Sequence, residues 1–258
     1  MRRVFNDPSF FVFCLMIQLL TDVFVRFIFP RMCAVCALPI ERFALGASCE
    51  SCWNETRLLT GEEPSCSKCG ALLDGSSLSA KETADTRCGR CENHGYDKVL
   101  AVGLYKKALR AEILNLKSES FLGAHAAALL VEASRRVLSP VDVVVPVPLA
   151  KRRLKERGFN QAELLGKEIC RARGLTFSSK TLKRVTHTPM HRAGMDSKAR
   201  EATVRKAFVV EDASAVEGRN VLLIDDVFTS GATTSQCAKV LKEAGSLSVN
   251  VLTLARTK

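Results

Sequence analysis

The stretch Val221-Leu-Leu-Ile-Asp225-Asp226-Val-Phe-Thr229-Ser230-Gly231-Ala232-Thr233-Thr234 leaves few folds open to this chain. Four consecutive apolar residues, 221–224, without polar alternation describe a strand covered on both faces, the condition of a central strand in a parallel sheet. The acidic pair and the small, hydroxyl-bearing run after it form a turn that opens a helix. Gly231 lets backbone amides approach an anion, and the hydroxyls of Thr229, Ser230 and Thr233 add donors at a helix N-terminus that carries partial positive charge. A phosphate monoester suits such a turn. Asp225 and Asp226 precede it by a few residues, where ionised carboxylates accept hydrogen bonds from two vicinal ribose hydroxyls or hold a water of a magnesium ion. An ordinary strand-turn-helix that needs only an N-cap explains one acidic residue and the glycine. It does not explain the pair together with the hydroxyl loop, so the stretch predicts a ribose 5-phosphate site.

The flanking pattern agrees with a parallel α/β sheet. Strands are predicted over 98–105, 141–147, 175–185, 207–210 and 248–255, and helices over 160–173 and 233–244, with two further helical patterns in 106–138 broken near 118–123. Ligands of such sheets bind beyond the carboxyl ends of the strands.

Eight of the 11 cysteines fall as Cys33/Cys36, Cys49/Cys52, Cys66/Cys69 and Cys88/Cys91, four CxxC pairs in one segment. Thiolates at this spacing form knuckles that each supply two ligands of a tetrahedral zinc site. Sequential pairing gives one four-cysteine set from Cys33, Cys36, Cys49 and Cys52 and another from Cys66, Cys69, Cys88 and Cys91. It is preferred over a cross-braced pairing because each half closes its own short loop. A CxxC loop is too short for a common structural disulfide, and an iron–sulfur cluster is the remaining alternative. Cys14, Cys170 and Cys237 read as buried small hydrophobes. A chain of 258 residues accommodates such a module beside a domain of about 150 residues, and the boundaries read as 1–30, 31–95 and 96–258.

The formal charge of +11 drops to about +7 once eight thiolates and two zinc ions are counted. Residues 101–210 hold 22 Lys and Arg against 9 Asp and Glu, so the cationic excess sits in the part of the chain that precedes the acidic strand. Such a surface suits a polyphosphorylated ligand or nucleic acid, although no aromatic interleaving accompanies it. Residues 10–17 form an apolar run too short for a membrane span, and no small-residue cleavage site follows. Residues 9–29 are expected as a mostly apolar helix ended by Pro30, packed on its own domain or a partner in preference to a membrane surface. The thiol-rich segment predicts a cytoplasmic protein.

At this point the chain resembles the type I phosphoribosyltransferases, whose signature for phosphoribosyl diphosphate (PRPP) is an apolar strand, two acidics and a T-[TS]-G-x-[TS] loop. Val143-Val-Val-Pro146-Val-Pro148-Leu149, followed by Arg152, Arg153 and Arg157-Gly-Phe-Asn-Gln161, is similar to the ComF family of bacterial DNA-uptake proteins. The likeness runs from about Tyr105 to Arg256, and a cysteine-rich front end is typical of the same family. It implies a double zinc ribbon ahead of a phosphoribosyltransferase domain, Mg with PRPP as ligand, and single-stranded DNA or a DNA-uptake helicase as partners. By the resemblance, Thr229, Ser230, Gly231, Ala232 and Thr233 hold the 5-phosphate. Asp225 and Asp226 face the ribose hydroxyls as catalytic carboxylates. The turn of Val145, Pro146, Val147 and Pro148 meets the pyrophosphate, with Arg153 and Arg157 neutralising it, Arg157 in a catalytic role. Either X-Pro bond of this turn is a candidate for the cis isomer. The segment 187–206 resembles a hood that closes over PRPP, and it departs from the family pattern at His191 and at Thr203. His187 and His191 are candidate general acid-base groups by intrinsic pKa.

Overall fold

The computed structural model describes residues 30–73, 86–137, 140–185 and 207–257. The expected N-terminal helix with Cys14, nearly all of the 74–86 insert and the hood, with His187, His191 and Thr203, lie outside the described residues.

The described part of the cysteine-bearing segment contains one short α-helix, α1 (Glu50–Asn54), and is followed by β1 (Lys98–Leu104), α2 (Lys107–Ser118), α3 (Ala124–Arg135) and β2 (Val143–Pro146). Next come α4 (Lys151–Arg157), α5 (Gln161–Arg173), β3 (Thr176–Phe177), β4 (Leu182–Arg184) and β5 (Phe208–Val210), and the chain closes with β6 (Asn220–Phe228), α6 (Ala232–Glu243) and β7 (Ser248–Arg256). Five strands form one sheet in the order β1-β7-β6-β2-β3, and every neighbouring pair is parallel. The expected strand over 175–185 is instead two short pieces. Ser178 and Thr181, joined hydroxyl to hydroxyl at 2.7 Å, turn the chain between them, and β4 leaves the sheet to pair antiparallel with β5.

Period-two alternation assigns the two faces of the sheet. Val144, Leu222, Ile224, Leu252 and Leu254 point to one core, with Leu109, Ile113 and Leu116 of α2, Leu130 of α3 and Leu165 and Ile169 of α5. Val143, Val145, Val221, Leu223, Val249 and Val251 point to the other, where Cys237, Ala238 and Leu241 of α6 cover them. Being covered on both sides is why 221–224 is apolar at every position. Burial of each of these large side chains is worth about 1.5–3 kcal/mol. Helix α5 is capped at its start by Asn160, whose side chain accepts the Ala162 amide at 3.2 Å, and at its end by Gly174 with φ 68°, residue types that suit those positions.

The topology fixes where a site can form. From β2 the chain crosses through α5 to β3 on one side; from β6 it crosses through α6 to β7 on the other. The crevice between the carboxyl ends of β2 and β6 is therefore the topological switch point.

The two cysteine-rich halves repeat one knuckle. Cys33 N donates to Leu38 O at 2.8 Å and Ala37 N to Cys33 O at 2.9 Å; Cys66 N donates to Ala71 O at 2.8 Å and Gly70 N to Cys66 O at 2.8 Å. Ala37 and Gly70, four residues after the first cysteine of each half, both have positive φ, 60° and 67°. The first half contributes Cys33, Cys49, Cys52 and Trp53 to the core under α2, and the second contributes Cys66, Cys69, Cys91 and Tyr96 to the core under α6. Both also cover the outer edge of β1: Leu104 N donates to Arg57 O at 3.0 Å, Leu59 N to Val102 O at 2.9 Å and Val99 N to Lys68 O at 2.8 Å. Among the described residues no helix is long and apolar enough to cross a membrane.

Candidate functional site

Asp225 and Asp226 lie in the carboxyl half of strand β6, beyond its apolar run. Asp225 Oδ1 accepts the Asp226 amide at 2.9 Å and Asp226 Oδ1 accepts the Val227 amide at 2.7 Å. Both are half-buried. Desolvation, then the charge of Asp226, raises the Asp225 pKa to about 8, so a bound cation or a donor ligand would favour the ionised form of this carboxyl.

The loop after β6 leads straight into α6. Gly231 caps that helix with φ 76°, and its carbonyl accepts Thr234 Oγ1 at 3.1 Å and the Ser235 amide at 2.8 Å. Thr229, Ser230, Ala232 and Thr233 are exposed around it. Ser230 Oγ accepts the Ala232 amide at 3.4 Å, so hydroxyls and helix-start amides lie together at this end of α6, as an anion site requires.

The β2 turn abuts the acidic pair, because Pro146 registers with Ile224 and Val147 N donates to Ile224 O at 2.9 Å. Asn160 Nδ2 donates to Val147 O at 3.0 Å, tying the turn to the start of α5. No peptide bond among the described residues is cis, so the bonds before Pro146 and Pro148 are trans and the expectation of a cis isomer is corrected. Pro146 is an ordinary strand terminator: it ends β2, where a ring without an N–H stops the ladder. Helix α4 projects from this turn with no buried residue. Arg153 is exposed on it, whereas Arg157 is half-buried and donates from Nη1 to Gln161 Oε1 at 2.9 Å. Gln161 is 3% exposed, and its Nε2 has no partner among the described residues.

Two cations escaped the sequence reading. Lys117, in the last turn of α2, has Nζ 3.3 Å from Asp226 Oδ2. Arg184, on β4, is desolvated and lies within the electrostatic reach of Arg153 and Asp225. Nothing local marks either; both arrive through tertiary packing.

The metal ligands assemble as two sets, Cys33, Cys36, Cys49, Cys52 and Cys66, Cys69, Cys88, Cys91, with the sulfurs of each within 4.8 Å of one another. Cys36 and Cys49 sulfurs are 3.5 Å apart, Cys66 and Cys91 3.5 Å, and Cys69 and Cys88 3.4 Å. A tetrahedron with Zn–S of about 2.3 Å needs sulfurs about 3.8 Å apart, so these close pairs have only to open slightly to meet metal geometry. Burial works to raise the thiol pKa of Cys33 and Cys66, but converging amide donors outweigh it and bring each to about 6. Burial and the neighbouring sulfurs push Cys52 and Cys91 up. Four thiols so placed ionise together only around a cation, and zinc supplies the charge that holds them as thiolates. Cys237 is fully buried in the core, and Cys170 is half-buried on α5.

A parallel α/β domain, with a hydroxyl-bearing loop and an acidic pair at its switch point and two four-cysteine sites ahead of it, defines the class of this protein. The double zinc ribbon domain model matches residues 24–92. The chain is 30% identical over 239 residues to DNA utilization protein YhgH of Salmonella typhi, covering 88% of this chain and 98% of that protein. It is 30% identical over 203 residues to Competence protein F of Haemophilus influenzae, covering 75% and 85%. Among solved structures, adenine phosphoribosyltransferase from Leishmania tarentolae is 14% identical with a TM-score of 0.33, covering 51% of this chain and 69% of that one. The chain belongs to the ComF family.

Proposed function

We propose that the chain binds PRPP with magnesium at the switch point between β2 and β6 and acts as a phosphoribosyltransferase. The observation that carries this reading is the Val147–Ile224 hydrogen bond of 2.9 Å, which sets the proline turn beside Asp225 on the sheet edge that also bears the hydroxyl loop. Thr229, Ser230, Gly231, Ala232 and Thr233 receive the 5-phosphate through amides and hydroxyls. Asp225 and Asp226 accept the two ribose hydroxyls and would hold the magnesium, an ion that takes one or two carboxylates. The turn of Val145, Pro146, Val147 and Pro148, with Arg153 and Arg157, faces the pyrophosphate. Magnesium there would neutralise charge on the leaving group. Arg157 adds directed donors to the same charge, and the unpartnered Gln161 amide beside it is a further donor suited to an oxygen of the ligand.

Isothermal titration with Mg-PRPP tests the binding, followed by pyrophosphate release in the presence of candidate nucleophiles. Micromolar binding that Asp225→Asn with Asp226→Asn abolishes is expected; absence of any heat would end the reading.

A second reading is favoured by α4, which exposes Lys151, Arg152, Arg153 and Lys155 beside the site without burying any side chain. In this reading the chain is a non-enzymatic accessory protein in the handling of incoming single-stranded DNA, with PRPP as a ligand. It fits the names of the relatives, a DNA utilization protein and a competence protein. Electrophoretic shifts with single-stranded DNA should then weaken steeply with salt, and a deletion strain that takes up DNA normally would count against it. Both readings have the chain acting in the cytoplasm, with the zinc module over 31–95 and the phosphoribosyltransferase-like domain over 96–258.

A further inference from the structure

The chain from Cys88 to Tyr96 runs past the mouth of the 229–232 loop. A cavity of about 410 Å³ separates them, with Arg90, His94, Tyr96, Thr229, Ser230 and Arg256 on its walls. Its two sides are bonded to each other. Arg256 Nη1 donates to Cys69 O at 2.6 Å, Gly95 N donates to Ser235 Oγ at 3.0 Å, and the Tyr96 ring meets Phe228 edge-on at 5.9 Å. Gly231 permits the approach: a Cβ there would stand 2.9 Å from Tyr96 Oη.

The wall is mixed in charge. Arg90 and Arg256 line it with no carboxylate among the described lining residues, and Cys69, Cys88 and Cys91 of the second metal set line it too. Arg256 is 4% exposed, with Nη1 and Nε turned to backbone carbonyls. Arg90 is exposed and has no ion-pair partner among the described residues. Burial, then Lys68 and Lys239, depress the His94 pKa, so that ring offers a hydrogen bond and no charge. The bland role for both arginines is to screen the dianionic tetrathiolate zinc centre behind them.

We propose that this cavity is the outer half of the phosphate site: the second ribbon, through Arg90 and with Arg256 beneath, binds the 5-phosphate of a ribose phosphate that the 229–233 loop holds from the other side. The inference rests on the reading of that loop as a phosphate loop. It makes the ribbon part of the ligand site and makes ligand affinity depend on the second zinc site.

The test is calorimetric titration of the full chain with ribose 5-phosphate, Mg-PRPP and pyrophosphate, on wild type, Arg90→Ala and Arg90→Lys, with zinc content measured on each. Arg90→Ala is expected to weaken ribose 5-phosphate and Mg-PRPP equally, by about tenfold for a charge-assisted contact. Pyrophosphate binding and two zinc ions should be unchanged, and Arg90→Lys should recover part of the affinity. Equal affinities of wild type and Arg90→Ala would overturn the proposal, as would zinc loss in Arg90→Ala with affinity unchanged, which assigns the arginine to screening. Arg90-dependent ribose 5-phosphate binding with no gain for Mg-PRPP would keep the cavity and remove the PRPP reading. Wild type that binds neither would remove both.

Discussion

At the scale of single residues, the chemistry turns on one carboxylate. Asp225 has a folded-state pKa raised by desolvation, then by Asp226, to about 8, against about 3.9 in an unfolded chain. Between those values the native protein holds a proton that the unfolded chain has released. Stability from this group is complete below the unfolded pKa and is lost as pH rises through the folded one. Unfolding free energy should therefore fall from pH 5 to pH 8, with a slope of at most about 1.4 kcal/mol per pH unit from this site. Asp225→Asn, which stays neutral in both states, should flatten that slope in urea titrations across the range; a variant with the wild-type slope would assign it elsewhere. The acidic pair itself was legible, because two adjacent carboxylates after an apolar strand have few structural uses. Its partner Lys117, 109 positions before Asp226, was not, since an ion pair between α2 and β6 is created by packing and leaves no mark on local spacing. The cis-proline expectation failed for a related reason: an X-Pro bond chooses its isomer from tertiary surroundings that the local sequence does not contain.

Among the elements, helix α2 links the first ribbon to the sheet through Glu112. This side chain is fully buried, and its oxygens accept the Ala47 amide at 2.5 Å and the Gly123 amide at 3.4 Å. Burial raises its pKa, opposed by those two amides. Gly46 and Gly123 crowd the same carboxylate: a Cβ on either would come within 1.9 Å and 3.1 Å of Oε1. Glu112→Ala strands two buried donors and leaves a cavity, so a loss of about 2–4 kcal/mol is expected. Glu112→Gln keeps an acceptor oxygen and should cost under about half of that. Chemical denaturation of both variants checks the order; equal losses would mean that volume, and not the hydrogen bonds, joins the ribbon to α2. The strands and helices that carry a full face of apolar residues were readable to within a few positions. The short pieces were less so. β5 was read to within one position, but β3 and β4 span two and three residues, too few for a period to register, and were merged into one strand; α4 shows no apolar stripe because it buries nothing.

For the molecule as a whole, the sequence separates a metal module from a sheet domain, yet the two share both of their cores and one sheet edge. The clustering of CxxC pairs disclosed two four-cysteine sets, because metal geometry acts at short range. That the first set sits on the α2 face and the second on the α6 face could not be seen, since it depends on how the module straddles β1. The consequence is that zinc guards the sheet. Residues 57–59 and Lys68, which pair with β1, stand between or within the knuckles and lose their anchor when the thiolates are protonated or the metal is taken away. An uncovered β1 presents unpaired amides and carbonyls to other chains. Chelation of the full chain is expected to release two zinc ions per molecule and, in step with them, to drive association visible by light scattering. Cys33→Ser separates the sites: it should retain one zinc ion by native mass spectrometry, because each set is closed within its own half. Two ions retained in Cys33→Ser would break the sequential assignment. A chain that gives up both ions and stays monomeric would show that β1 is covered by side chains and not by the metal-held strands.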